Sequence, residues 1–502
     1  MKIASKTISI QKIKLIGLIG IIAFSLGACN KNKSLNPDPT TLIVDQTAFG
    51  SKERILNQVN GLYSALKTGR FLGSWYFIVS DIRTGDFISS NLNAATGATS
   101  YQLLNQTTTN DVVTVWESGY QAINACNVFI DGMNELGTKV TGDALSANYI
   151  AEARLIRATS YYFLLQLYAR PYLDGAGSKP GLPLRLTGIK KPGNYDLARS
   201  SVKETYVQIL TDLDFAEQNL PANYSSAFLN TVRAHKNTAI ALKTKVYLSM
   251  QNYPKVIQEA NKIVSANAPF TSLSGVKNEL AASIKSVFAS PYTTSESIFS
   301  MPFTNNDAPG VPIPQYYMPG TKDGGTATSS GAGDYSLNPN GIPADPSWSA
   351  TDDRRSFLKI GPTTGKLWLF KFSKASPYTD YIPVVRYSEV LLNLSEAITK
   401  STNSINDRAV ALLSAVRNRS DKNKVYTTSD FSNYNELISA ILKERKIEFL
   451  GEGIRNADIM RLGEDIPAKP IHSVPAASPS SSNYIFPISS DELILNKLMT
   501  NN

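Results

Sequence analysis

The chain is 502 residues long with a formal charge of +9, but four of its lysines fall within the first 28 residues, which hold no acid, so the other 474 residues carry only +5. That excess is dilute, and the basic residues occur as scattered pairs such as Arg354-Arg355 and Lys190-Lys191, which argues against a nucleic-acid partner. With 42% hydrophobic and 18% charged residues, the chain reads as globular rather than disordered, long enough to bury one large core or two closely packed ones.

Lys2, Lys6, Lys12 and Lys14 precede an apolar run over residues 15–26 and the small residues Gly27 and Ala28, the layout of a secretory signal peptide over residues 1–28. The run has 12 residues, whereas a spanning helix needs about 20, so a permanent transmembrane anchor fits poorly. Leu26-Gly27-Ala28-Cys29 resembles the bacterial lipobox, which implies cleavage before Cys29 and lipid on that cysteine. Acyl chains contribute about 0.8 kcal/mol per buried methylene, enough for several chains on Cys29 to hold the protein at a membrane. Residues 29–44, with Pro37 and Pro39, suit an extended tether. Once the signal peptide is gone, Cys29 carries lipid and Cys126 is the one thiol left, so no intrachain disulfide forms; the apolar pattern around Cys126 places it in the core.

The body is expected as a single unit over residues 45–502. Phe49, Ile55, Val59, Leu62, Tyr63 and Leu66 recur at helical spacing and predict a helix over 45–67. Trp116, Tyr120, Ile123 and Ile130 share the buried face of a second, over 112–133. Residues 148–168 give the strongest helical signal, apolar on more than one side and stopped by Pro171, with Arg154 and Arg157 either paired or reaching solvent. After a Gly- and Pro-rich loop, a helix is expected near 203–218. Residues 237–266 read as a helical hairpin turning at Gln251-Asn252-Tyr253-Pro254, which resembles a tetratricopeptide unit. Further helices are expected at 388–400, 407–417 and 434–450. The scaffold thus covers about 45–266 and 386–460, around a loop-rich insertion at about 268–385 with short strands at 297–303 and 366–372, and residues 320–334 too rich in glycine for a helix.

These pieces resemble the SusD/RagB family of Bacteroidetes lipoproteins over nearly the whole mature chain. They fall in family order: Ala151-Glu-Ala-Arg-Leu-Ile-Arg-Ala158 with Tyr161-Tyr162-Phe163, then Gly181-Leu-Pro-Leu184, then Val385-Arg-Tyr-Ser-Glu389 running to Ala397. Ala415-Val-Arg-Asn-Arg419, Ile441 to Arg455, Asp458-Ile-Met-Arg-Leu-Gly463 and Phe486-Pro-Ile-Ser-Ser-Asp-Glu-Leu493 complete the set. The resemblance implies a mainly α, SusD-like fold in which tetratricopeptide-like hairpins support a loop-rich, partly β ligand face. It also implies an outer-membrane protein facing the cell exterior, which captures oligosaccharide or peptide and hands it to a SusC-type TonB-dependent transporter. No catalytic residue and no cofactor are expected.

The charged residues of these motifs, Arg386, Glu389, Glu444, Arg445, Glu448 and Arg455 among them, suit ion pairs that fix helix packing. The rival reading is a surface glycoside hydrolase with an unrecognised carboxylate pair, and a third is a repeat scaffold that binds no ligand. Neither His235 nor His472 sits at metal-ligand spacing, no Gly-x-Ser-x-Gly elbow occurs, and the glycines around Thr363 lack a phosphate loop's spacing. A structural calcium near Asp174 or Asp323 lacks the ligand spacing of an EF-hand. Ligand contacts are expected from aromatics outside the helical patterns: Trp75 and Tyr76 after Gly73, Tyr316 and Tyr317 in a Pro/Gly loop, and Trp348. Trp116 and Trp368 are assigned to packing.

Overall fold

The structure is a computed structural model that describes residues 45–502; the signal peptide, Cys29 and the 29–44 tether lie outside the described residues. A single turn, Asp45–Ala48, leads into α1 (Lys52–Leu66), so the helix expected over 45–67 is broken at Gly50, where Ser51 caps the new start by accepting from the Arg54 amide. α2 (Trp75–Ile82) and strand β1 (Phe87–Ser89) come next, followed by α3 (Asn110–Gly132), α4 (Asp143–Tyr168), α5 (Val202–Asn219), α6 (Ala227–Val232), α7 (Lys236–Ser249) and α8 (Tyr253–Ala260). The insertion holds β2 (Ser297–Met301), α9 (Ile313–Tyr317), β3 (Tyr335–Leu337), β4 (Leu358–Ile360) and β5 (Leu367–Leu369). β6 (Ile382–Arg386), α10 (Tyr387–Thr402), α11 (Asp407–Ser420), α12 (Tyr434–Glu448), α13 (Arg455–Leu462) and α14 (Ser490–Leu495) complete the chain.

Successive helices pack as neighbours: α3 on α4, α4 on α5, α5 on α7, α7 on α8, α8 on α10 and α10 on α11. α4 is buried along almost its whole length. Its Arg157 bonds both Asp212 oxygens of α5 at 2.7 and 2.8 Å and Asn127 of α3 at 2.8 Å, clamping three helices together. Arg154 lies over the Phe215 ring at 4.1 Å. Gly119 allows α3 and α4 to approach, since a Cβ there would meet the Leu164 side chain at 2.8 Å. Between α7 and α8, Gln251 turns with φ +55° and Asn252 caps α8 through the Lys255 amide, matching the expected hairpin turn.

The strands form two small antiparallel sheets. One has the order β1-β3-β5-β4, with Phe87 opposite Leu337, Leu337 opposite Leu367 and Leu358 opposite Leu369. The other pairs β2 with β6, which runs directly into α10 and so ties the insertion to the scaffold. Cys126 is buried, and so is His235 at the start of α7.

Candidate ligand-binding site

Four of the five aromatics expected to meet ligand do come together, but inside the protein. Trp75 and Tyr76 lie in α2, all eight residues of which are buried, and Tyr316 and Tyr317 lie in α9 rather than in an open loop. The Trp75 ring sits 5.3 Å from Tyr316, Tyr317 stacks on Phe87 at 4.4 Å, and Tyr76 meets the edge of Phe163 at 4.8 Å. Tyr317 also donates to Asp81 at 3.0 Å, and the second Asp81 oxygen takes the Gly453 amide. Burial raises the Asp81 carboxyl well above its usual range. Trp348 is buried beneath the Arg355 guanidinium at 4.6 Å. The expectation of an open aromatic platform at Trp75, Tyr76, Tyr316, Tyr317 and Trp348 is therefore corrected: hydrophobic burial has drawn these rings into the core, where Tyr317 packs on Phe87 of β1.

The motif charges are paired. Glu448 takes Arg354, Arg386 and Arg419 at 2.5 to 2.9 Å, and Glu444 takes Arg354 and Arg417. With Glu296, Asp352, Glu452 and Lys371 these groups form one buried network of five carboxylates and five cations. Arg445 turns away from Glu444 and Glu448 to pair with Asp458, Glu389 pairs with Lys245, and the more exposed Arg455 pairs with Glu464. Glu444 and Glu448, fully buried and spent on guanidinium groups, cannot flank a glycosidic bond. Asp323, one of the calcium candidates, accepts from the Thr363 and Thr364 amides, the Thr364 hydroxyl and the Trp368 indole, which uses its lone pairs and pins the 320–334 loop. Asp174 faces the Lys179 amine at 3.7 Å.

An open cleft of about 820 Å³ lies elsewhere on the molecule. Its floor is the face of α3 carrying Trp116, Tyr120 and Asn124, so Trp116 both packs and lines the cleft. One wall is the 185–195 loop. Asn124 grips it through the Ile189 carbonyl at 3.0 Å and amide at 2.8 Å, Asp131 holds the Gly188 amide, and Tyr120 donates to the Pro183 carbonyl at 3.0 Å. Gly188 is required for this close approach, because a Cβ there would sit 2.8 Å from Val128. The other wall is α14 and its flanks, joined to the loop by Arg185 to Glu492 at 3.1 Å and by Asn496, which both donates to and accepts from the Leu197 backbone.

Three aromatic rings face this space at different depths. Trp116 lies 4.8 Å from Tyr120 at the floor, its indole N–H without a hydrogen-bond partner among the described residues, while Tyr195 stands on the loop wall with 37% of its surface exposed. The Tyr195 backbone carbonyl takes the Arg185 guanidinium at 2.8 Å, which braces the ring's attachment. Burial holds the Tyr120 phenol well above its usual range, so it stays a neutral donor. Flat rings beside amide, guanidinium and carboxylate groups suit a polar ligand that has apolar faces. Sequence reasoning missed the site because Tyr120 and Asn124 sit on a helix whose periodicity marks them as packing, and the walls come from segments about 300 positions apart.

A family model described as "Starch-binding associating with outer membrane" matches residues 36–248, and the SusD family model matches residues 346–502. A SusD-like protein of Formosa agariphila is 24% identical over 96% of this chain and 98% of its own length. Among solved structures, a SusD superfamily protein of Bacteroides fragilis superposes with a TM-score of 0.79 at 29% identity, over 90% of this chain and 99% of that one. The surface glycan-binding protein A of Bacteroides thetaiotaomicron, solved in complex with laminarihexaose, gives a TM-score of 0.69 at 18% identity over 90% of this chain and 99% of its own, a likeness of fold. Helical repeats with a loop-rich partly β face, spent motif carboxylates and two matching models agree: the chain belongs to the SusD family, whose members bind carbohydrate rather than transform it.

Proposed function

We propose that this protein binds an oligosaccharide at the cell surface and passes it to a TonB-dependent outer-membrane transporter. The observation that carries the binding step is the α3 cleft, where the exposed Tyr195 ring stands beside Tyr120, Asn124 and Arg185. A pyranose offers an apolar face to such a ring and hydroxyls to such groups. The names of two solved relatives of like fold, one laminarin-binding and one glycan-binding, favour sugar over peptide. Tyr195→Ala is expected to raise the Kd for a bound hexasaccharide about tenfold, or 1.4 kcal/mol, with thermal stability unchanged. Calorimetry over a panel that includes laminarihexaose and maltohexaose would measure this. Binding undiminished in that variant, but lost on substituting Asn91 and Asn93 of the loop after β1, would move the ligand to the sheet face.

The rim of the same cleft supports the transporter half of the reading. Ile494 and Leu495 are 74% and 79% exposed, and Leu186 and Leu498, next to Arg185 and Asn496 in the chain, are exposed as well. A concentration of exposed aliphatic side chains around one opening is the mark of a protein contact, and a barrel seated there would close the cleft over its ligand. Among the described residues no helix is long and apolar enough to cross a membrane; the lipobox-like Leu26-Gly27-Ala28-Cys29 supports anchoring through lipid on Cys29. In outer-membrane extracts of the native host, Leu495→Asp should stay in the membrane fraction but lose the co-purifying barrel, and Cys29→Ser should leave the membrane fraction. A Leu495→Asp protein that still captured the barrel would place the contact elsewhere.

A further inference from the structure

A second cleft, of about 440 Å³, lies between α6, the 275–277 turn and the segment leading into β2, and shares no element with the first. Asn223, Ser225, Thr293, Ser295 and Lys277 all line it, and their polar side-chain groups bond to nothing else among the described residues. Thr231, also in the lining, is buried. Asn223, Ser225 and Lys277 are exposed and Thr293 and Ser295 half-exposed, so these groups reach solvent and stand open to a ligand's hydroxyls. Here hydroxyls and an amide converge with their capacity free.

The walls, by contrast, are tightly fixed. Asn237, fully buried, donates to Ser272 Oγ, the Ser274 and Val276 carbonyls and Asn278 Oδ1 at 3.0 to 3.1 Å, which sets the 272–278 turn. Asn230 clamps the backbone of Tyr224 at both its amide (2.6 Å) and its carbonyl (3.3 Å). The Tyr224 hydroxyl donates to the Ala234 carbonyl at 2.8 Å, and Arg233 lies 5.3 Å from its ring, so this half-buried aromatic wall is held in place. Phe228 and Leu273, both exposed, neighbour the rim. Preorganised walls with unspent groups reduce the ordering cost of a ligand.

The lining also selects among ligand classes. It has no carboxylate, which removes a metal ion or an amine, and a single ammonium, at Lys277, which is too little for a polyanion. What remains is a neutral molecule dense in hydroxyls with an apolar face for Tyr224. We propose that this cleft is a second saccharide-binding site for an uncharged oligosaccharide stretch, so that one protein grips a glycan polymer at two places. This rests on the glycan-binding reading above. Two sites on one molecule raise the apparent affinity for a polymer long enough to span them, without any new contact, by as much as ~10²-fold or more.

The test is calorimetry with laminarihexaose and maltohexaose, and with the corresponding polymers, on the whole mature chain, on Tyr195→Ala, and on Ser225→Trp/Thr293→Trp, which fills the second cleft from partly exposed positions. Expected is a stoichiometry of two hexasaccharides per chain that falls to one in the filled variant, with polymer affinity down at least about tenfold and the melting temperature unchanged. Asn223→Ala, which leaves the cleft open, should weaken the second event alone. A stoichiometry of one that the filled variant leaves intact, or loss of all binding in Tyr195→Ala, would overturn the second site while sparing the glycan reading. Absence of binding by the unaltered protein would overturn both.

Discussion

Replacing Glu448 with alanine is expected to remove about 3–5 kcal/mol of folding stability, the cost of leaving buried charge without its partner. Glu448 is fully buried on α12, and its two oxygens serve Arg354, Arg386 and Arg419, which reach it from the insertion, from β6 and from α11. Deleting it leaves three guanidinium groups facing one another where five cations had matched five carboxylates. Domains are stable by only about 5–15 kcal/mol, so urea titration should show a large fall in midpoint, or failure to fold. Glu448→Gln keeps the shape and one acceptor, and should fall between the two.

The same network predicts the sign of the acid response. Burial alone would raise the Glu448 carboxyl, but the combined fields of Arg419, Arg386 and Arg354 outweigh it and hold the group well below the carboxylate range. A carboxyl lowered in the folded state stabilises the fold above its unfolded value of about 4.3, and that contribution is lost as pH falls toward the folded value. Stability measured from pH 6 downward should therefore decline, and decline less steeply in Glu448→Ala, which has no such proton to take up. An equal slope in both proteins would show that the network does not control acid unfolding.

Trp75→Ala is expected to cost a similar 3–5 kcal/mol, through the cavity left by a large buried ring. The ring is fully buried against Tyr316, and a Cβ at Gly97 would approach it at 3.4 Å, so the site has little slack with which to collapse. Glycan affinity measured on the folded fraction should stay within about twofold, because 0.4 kcal/mol is the scale of change expected of a residue that does not touch ligand. Trp75→Phe should be milder, since phenylalanine keeps most of the ring volume and leaves a smaller cavity. Loss of binding without loss of stability would return Trp75 to the ligand.

Most of the scaffold was legible in the sequence because its helices are one-sided. The patterns over 112–133, 203–218 and 434–450 correspond to α3, α5 and α12 within a few residues, and Ser201 with Glu204 supplies a capping box at the start of α5. α2 was not legible. Trp75-Tyr-Phe-Ile-Val-Ser-Asp-Ile is buried on every side, so it has no polar stripe to give its period away, and its aromatics read as loop residues. The ion-pair residues could be named from their motifs, but not all their partners: Glu296, Asp352 and Arg354 come from the loop-rich insertion, which carries no helical spacing to link it to α12. The α3 cleft escaped for the same reason, since its exposed ring, Tyr195, lies in a segment that carries no pattern.

The distance along the chain between the cleft's floor and its far wall bears on how the protein matures. Arg185 meets Glu492 across 307 positions and Leu197 meets Asn496 across 299, while Phe486 bonds Leu167 and Asn502 bonds the Tyr168 carbonyl. Contacts this far apart must wait for a large loop to close, and they form late. A polypeptide emerging amino end first displays Trp116 and Tyr120 with no wall opposite them until residues near 490 have also emerged. A chain that ends before those residues therefore lacks one wall of the cleft, and the proposed site is completed only when the segment near 490 is in place.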